Sequence, residues 1–418
     1  METGSEDLDM KKENFITAID IGASKVCVLI AAIPKSKGIL DILGYGICHH
    51  DCLKKGVVAD IKALSEAISD AVFKAEETSG KKVQSAFFNI SGIHLKGIPS
   101  HGEVVISDRD NEITRHDLDR VISSARAIHM PYERDIVYSA RRGFVVDGEK
   151  GIINPIGMFG IKLETELFLI TAKISIIDNM KKAISHAGIG IEGYIISPLA
   201  TSASSVSQHE KNLGIVFIDI GADITEILLF LESRPVFLKV LPLGGDNITK
   251  KIAERLSIPE GVAERLKIEN STIEDTKNDE EIHVNVVSRD ITISRARLKS
   301  ILALEYTNLF NVIKKELNAS GYIDKASCGA VICGQPVIMD GVLELAESLL
   351  NLPVKMGHIM SLGAAPKPLP SHIYATAVGL LRMGSIVKQS KKSIFKMGPK
   401  NWVTALVDYT RRLYTDYF

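Results

Sequence analysis

The pentapeptide Ile19-Asp20-Ile21-Gly22-Ala23 recurs unchanged as Ile218-Asp219-Ile220-Gly221-Ala222. No other feature constrains the chain as much. Each copy runs on into an apolar stretch, residues 26–33 and 227–231, and so reads as strand, tight Gly turn, second strand. One carboxylate stands at the end of each first strand. Such a turn gathers backbone N–H groups into a concavity that suits a phosphate oxygen. An Asp repels phosphate directly but can hold a hydrated Mg²⁺ that bridges to it. One such turn in a strand-rich protein carries little weight. Two with matching flanks, about half a chain apart, predict two similar domains facing one nucleotide.

At 418 residues the chain exceeds what one hydrophobic core usually supports, so two or more domains are expected. Apolar residues make up 45% and charged residues 24%, which excludes a fibrous or wholly disordered class. Lysine plus arginine (50) nearly balances aspartate plus glutamate (51), so the overall charge gives no reason to expect nucleic acid as a partner. Residues 1–14 are polar and mixed in charge and read as a disordered N-terminus, not a signal peptide. The apolar runs are too short, or too interrupted by charge, to span a bilayer. Five scattered cysteines predict a reducing, cytoplasmic setting rather than a disulfide frame.

Strand patterns at 15–20, 26–33 and 39–47 precede a helical face over 61–77, with apolar residues at 61, 64, 68, 71, 72 and 75. A strand at 83–90 follows, giving the opening of a mixed α/β sheet with its ligand at the strand ends. Residues 93–164 interrupt this plan and read as a small inserted domain. Within it lie a strand at 102–107, a helix at 117–128 capped by Thr114 or Asp117, and short strands at 136–138 and 144–146. A turn-rich stretch at 148–160 follows them. The first sheet is expected to resume at 166–174, followed by a helix over 176–187, a strand over 191–196 and a helix started by Pro198. The second half repeats the logic, with strands at 213–219, 225–231 and 236–241 before Gly244-Gly245-Asp246 opens a helix to residue 256. A short helix at 260–268 and an acidic loop at 273–281 come next. They precede a long packed helix at 294–317, a buried strand at 328–333, and helices at 341–350 and 374–383.

The C-terminal region differs in character. Residues 388–400 hold five lysines and no acid, which reads as a tether. At about 100° per residue, Trp402, Ala405, Leu406, Tyr409, Leu413 and Tyr417 share one face of a helix over 401–418. Arg411 and Arg412 fall on the polar side, and Asp416 is the one misfit. A helix docked on the protein's own core is the common fate of such a pattern. The chain's single Trp, the tyrosines on the apolar face and the basic tether favour a helix lying in a membrane interface instead.

Together these features resemble the FtsA family of bacterial actin-like division proteins, from about residue 15 to residue 418. The resemblance is most specific at residues 19–25, at Pro242-Leu243-Gly244-Gly245-Asp246-Asn247-Ile248-Thr249 and in the tail. It implies an actin-like α/β fold of duplicated RNase H-like domains, lacking subdomain 1B and carrying a differently placed subdomain 1C. The implied boundaries are 1A at 15–92 and 165–205, 1C at 93–164, 2A at 206–250 and 318–385, and 2B at 251–317. Residues 375–385 are free to pack back on 1A, 386–400 form a basic linker, and 401–418 form the membrane-targeting helix. The resemblance further implies ATP and Mg as cofactors, binding of the C-terminal peptide of the tubulin-like division protein FtsZ, self-polymerisation and contacts with later division proteins through 1C. The tail would tether the assembly to lipid on the cytoplasmic side of the membrane, at the division site.

Carried over by position, Asp20, Gly22, Ser24 and Lys25 match the first phosphate motif, and Asp219 and Gly221 the second. Asp20 and Asp219 would hold Mg through water, while Ser24 and Lys25 would meet phosphate oxygens. Gly244, Gly245 and Asp246 match a turn beside the nucleotide. Glu264 and Lys267, in Ala263-Glu264-Arg265-Leu266-Lys267, match a helix that touches ribose and adenine, and Gly334 matches an adenosine motif. The membrane set is Trp402, Leu406, Tyr409, Arg411, Arg412 and Leu413. No catalytic residue is assigned, and the chain is at most a slow ATPase.

Three departures bear on this. Ala222-Asp223-Ile224 stands where the second phosphate turn usually continues with glycines and a threonine, and Asp223 repels phosphate unless a cation intervenes. Gln335-Pro336 follows Gly334 in place of a second glycine. Ser197 precedes Pro198 where many actin-fold ATPases carry a Glu or Gln that orients water. Cys48-His49-His50-Asp51-Cys52 offers four metal-ligand types, but neighbours on an extended segment point opposite ways, so it reads as a loop. Cys328 and Cys333 read as small apolar core groups, and Arg141-Arg142 as a solvated edge. Two other readings share the cleft: an actin-fold small-molecule kinase, which needs a substrate-facing base that the sequence does not single out, and a PilM-like pilus-assembly scaffold, which needs no amphipathic tail.

Overall fold

A computed structural model describes residues 15–33, 39–107, 110–269, 272–274, 281–286, 289–366 and 371–395. The expected disordered N-terminus and the helix at 401–418 lie outside these residues. The first half opens with β1 (Phe15–Ile21), β2 (Lys25–Ala32) and β3 (Ile42–His49), then a two-strand hairpin of β4 (Leu53–Lys54) and β5 (Val57–Val58). Helix α1 (Ile61–Ser79) and β6 (Ser85–Ile90) follow. After an insertion come α3 (Ile174–His186), β11 (Gly190–Ile196), α4 (Ser197–Ser205) and α5 (Gln208–Leu213).

The insertion holds β7 (Lys96–Val105), α2 (Arg115–Arg126), β8 (Arg134–Val146), β9 (Glu149–Ile152) and β10 (Lys162–Lys173). These strands form their own sheet in the order β7-β10-β8-β9. The expected return to the first sheet at 166–174 is therefore corrected. β10 pairs with β7 from Lys162↔Val105 to Thr171↔Lys96, so the insertion runs past residue 164 to Lys173. The two short strands expected at 136–138 and 144–146 are one strand, β8, whose register against β10 shifts at two irregularities. Thr114 caps α2 in a capping box with Asp117, which settles the choice between the two caps.

The second half contains β12 (Ile215–Ile220), β13 (Thr225–Leu231), β14 (Arg234–Leu241), α6 (Gly245–Leu256), α7 (Glu260–Glu269) and a hairpin of β15 (Glu281–Val286) and β16 (Arg289–Ser294). It closes with α8 (Arg295–Ser320), β17 (Ala330–Cys333), α9 (Val342–Leu350), β18 (Val354–Met356) and α10 (Ala375–Phe395). The β15–β16 hairpin has no counterpart in the sequence reading. Helix α10 corrects the linker reading over 386–395: it stays helical to Phe395, and Lys388 pairs with Glu192 at 2.7 Å, while 396–400 lie outside the described residues. Lysine, serine and glutamine do not break a helix.

The two main sheets share one plan. The first runs β11-β6-β1-β2-β3 and the second β14-β13-β12-β17-β18. In both, three antiparallel strands in sequence order are joined by two parallel ones beside the first. Helices cover both faces of the first sheet, which is why β1 is apolar on both. Ile19 and Ile21 pack with Leu64 and Ile68 of α1, whereas Ile16 and Ala18 pack with Val378 and Leu381 of α10. α1 is fixed at its ends by Asp60, which accepts from Lys62 N–H and Ala63 N–H, and by a left-handed Gly80. On the second sheet Val216, Ile218 and Ile220 face the long helix α8, through Leu302, Tyr306 and Phe310, and Ile215 and Phe217 face the core shared with the first half.

Candidate functional site

The β1–β2 and β12–β13 turns open onto one cleft of about 770 Å³ between the halves. The Gly22 N–H donates to Lys25 O at 3.0 Å and the Gly221 N–H to Ile224 O at 2.9 Å. Each glycine amide thus closes its own turn, and donors for a ligand are left to the residues after it. The start of α6 braces the second turn, with Gly245 N–H donating to Gly221 O at 3.0 Å and Asp246 N–H to Ala222 O at 2.7 Å. This helix N-terminus therefore serves the turn first.

Three carboxylates meet at the cleft, Glu226 buried and Asp20 and Asp219 partly so. Asp20 ends β1 and is clamped by Asn89 of β6, whose amide donates to Asp20 Oδ1 and to Ser197 Oγ, each at 2.9 Å. The same amide oxygen accepts from Ile21 N–H at 2.7 Å. Asp219 ends β12, and the Thr201 hydroxyl reaches it from α4. Glu226 lies on β13 directly opposite Asp219 and accepts from Ser91 Oγ at 2.9 Å. Burial pushes the Asp20 carboxyl up to about 7, partly offset by the Lys25 cation and reinforced by Asp219. Burial pushes Asp219 up to about 6, against its bond to Thr201 and the charge of Lys25. Glu226 is raised well above the ordinary value, by burial first and then by Asp219. One lysine does not balance these three acids. That donor set of oxygens, short of positive charge, suits a hard divalent cation.

The other wall comes from the second half. Lys267 is buried, and its ammonium donates to Thr249 Oγ1 at 2.7 Å and Gly245 O at 3.1 Å and pairs with Glu264 at 2.7 Å. Glu264 is half-exposed on the cleft side of that pair. Gly334 turns the chain after β17 with φ +109, and a Cβ there would lie 2.0 Å from Ile220 O, so no other residue fits. The next residue, Gln335, accepts from Lys25 Nζ across the cleft at 3.5 Å.

Every candidate ligand residue read from the sequence lines the cleft except Gly244, which sits behind the second turn as the N-cap of α6. The membrane set lies outside the described residues. Asn89, Thr201 and Glu226 were not among the sequence candidates. Glu226 carried a readable signal as the one charge in the apolar run 224–231. Ser197 is buried with Asn89 donating to it. Cys48-His49-His50-Asp51-Cys52 does not converge: His50 Nδ1 accepts from Cys52 N–H at 3.1 Å. Among the described residues, His101, Glu103 and Glu164 of the insertion bring ligand atoms within 4.8 Å of one another. Lys162 already pairs with both acids there, at 2.8 and 3.0 Å.

Two family models match the chain: "SHS2 domain inserted in FTSA" over residues 92–171 and "Cell division protein FtsA" over residues 216–379. The first coincides with the separate β7-β10-β8-β9 sheet. The chain is 33% identical over 379 residues to the cell division protein FtsA of Pseudomonas aeruginosa, covering 90% of each. Among solved structures it resembles a chain of the PilM–PilN type IV pilus biogenesis complex, with TM-score 0.63, 16% identity, and 88% and 98% of the two chains covered. It also resembles MreB 5 of Spiroplasma citri bound to AMPPNP, with TM-score 0.52, 11% identity, and 93% and 100% covered. At these identities the two structures speak to the fold alone, which is actin-like.

Proposed function

The chain belongs to the FtsA family of cell-division proteins, and from that premise we propose that it is an ATP-binding, actin-like polymer subunit that tethers the FtsZ ring to the membrane. The observation that carries the nucleotide part is the pairing of two identical DIG turns across one cleft, with Asp20, Asp219 and Glu226 lining it. These acids fit Mg²⁺, Asp20 and Asp219 through water, and Lys25 and Ser24 fit phosphate oxygens. Bound there, the cation supplies charge neutralisation for the phosphates. Glu264 faces the place where the family's helix meets a ribose. Ser197, held by Asn89, is no water-orienting Glu or Gln, which supports slow hydrolysis and a switch in place of a metabolic enzyme.

The rest of the proposal rests on the family and on the tail. No helix among the described residues is long and apolar enough to cross a membrane. Attachment is assigned to the amphipathic pattern at 401–418 on its own apolar face and its basic flank. One such helix binds reversibly, and each nearby lysine adds about 1 kcal/mol at an anionic leaflet. A polymer that presents many tails gains avidity. Partners are the FtsZ C-terminal peptide, further copies of the chain, and later division proteins through the insertion.

Sedimentation with anionic liposomes tests the tether. A version ending at Phe395, which keeps α10 whole, is compared with the full chain, with and without Mg-ATP. We expect co-sedimentation of the full chain and its loss on truncation. Equal sedimentation of both would refute the tether.

A further inference from the structure

Asp223, the acidic departure in the second phosphate turn, reaches across the cleft. Its Oδ2 accepts from the backbone N–H of Lys55 in the first half. Lys55 and Gly56 form the tip of the β4–β5 hairpin, both with positive φ, at 51 and 83. The tip is braced from behind. Ile93 N–H donates to Lys55 O at 3.3 Å, and a Cβ on Gly56 would lie 2.1 Å from Ser91 O. The Lys55 N–H is therefore a donor held in place before anything binds. Beside it, Ser91 Oγ donates to Glu226 Oε1 at 2.9 Å, so two acids three residues apart in the second half hold one rigid corner of the first. Asp223 also lines the cleft, where its charge opposes any phosphate that approaches the same turn.

We propose that Asp223 is a self-supplied anion that latches the two halves together across the cleft, and that a nucleotide phosphate approaching the same turn competes with its bond to Lys55. The contact takes up a backbone donor at the mouth of the cleft with the protein's own carboxylate. A phosphate competes with it by charge and by position. A glycine at this position would have no side chain to form the contact. The proposal rests on the nucleotide reading for what passes the gate, but the contact with Lys55 is made between protein groups alone.

The test uses the full chain and two variants, Asp223→Ala and Asp223→Asn. Hydrogen exchange of the nucleotide-free protein is followed over 53–58 and at Ile93, which does not touch Asp223. The association rate of a fluorescent ATP analogue with Mg²⁺ is measured on the same samples. A hydrogen bond to a charged group lost from the latch predicts exchange and association each faster by about tenfold in Asp223→Ala. Asp223→Asn keeps an acceptor without the charge, so it is expected to fall between. Faster association with unchanged exchange at Ile93 would mean that Asp223 acts through its charge alone, and would overturn the latch. Weaker analogue binding in both variants would make Asp223 a cation ligand and would overturn it equally. Absence of binding in all three proteins would sink the nucleotide reading and the gate with it. The exchange data distinguish that failure from failure of the latch, because they need no nucleotide.

Discussion

Replacing Asp20 with Asn is expected to stabilise the nucleotide-free protein and to abolish its response to Mg-ATP. Asp20 is raised from an ordinary 3.8 to about 7, chiefly by burial. Between those values the folded protein holds a proton that the unfolded chain has released. Stability therefore falls as pH rises through this window and stays low above it. The full penalty at pH 8 is about 4 kcal/mol, shrinking to about 2 kcal/mol at pH 5.5. Relaxation and water entry make these upper bounds. Asn carries no such penalty, and its carbonyl oxygen can still accept from Asn89, as Asp20 Oδ1 does at 2.9 Å. Thermal unfolding at pH 5.5 and 8, with and without Mg-ATP, reads the effect. We expect Asp20→Asn to melt above the parent without ligand, by more at pH 8 than at pH 5.5. Mg-ATP should raise the melting temperature of the parent alone. A variant equally destabilised at both pH values would show that Asp20 is a structural hydrogen-bond acceptor, and would refute the reasoning.

Gly334→Ala places a Cβ 2.0 Å from Ile220 O at φ +109, so a loss of about 3 kcal/mol or more is expected; a urea melt within 1 kcal/mol of the parent, about the error of such a comparison, would contradict it. Lys25→Met removes the cation that lowers both Asp20 and Asp219. Both carboxyls then rise further, so Mg-ATP affinity should weaken more at pH 6 than at pH 8, and a uniform loss at both would assign Lys25 to phosphate contact alone.

The duplicated pentapeptide carried the architecture. Two strand–turn–strand units that share this pentapeptide form β1–β2 and β12–β13, and each seeds a sheet of the same strand order. Apolar alternation located β10 but not its neighbours, because a pattern fixes the faces of a strand and not its partner. The pairing Lys162↔Val105 joins residues with the whole of α2, β8 and β9 between them. β8 looked like two strands because its register shift breaks the alternation. The sequence ends α10 earlier than the structure does, because a cluster of lysines reads as solvated linker although lysine is a good helix former.

At the site, residues carried by a local motif were readable, and those recruited by pairing were not. Asn89 has no motif of its own. It becomes the clamp on Asp20 only because β6 runs parallel to β1, with Ile19↔Phe88 in register. Thr201 meets Asp219 through the placement of α4 in the same way. Glu226 is a different case: a lone acid in an apolar strand is costly, and that cost is itself a signal. Buried opposite Asp219 and bonded to Ser91, it makes a third acid around a cleft that offers Lys25 as counter-charge. Three such groups cannot all ionise in so dry a place without more positive charge, and protonation or a divalent cation are the two ways to meet that need. The departure at Asp223 belongs to the same balance. It adds a further carboxylate to a crowded cleft but is bonded to a fixed amide on the opposite wall, so the acid that reads as hostile to phosphate in the sequence is one of the groups that join the two halves.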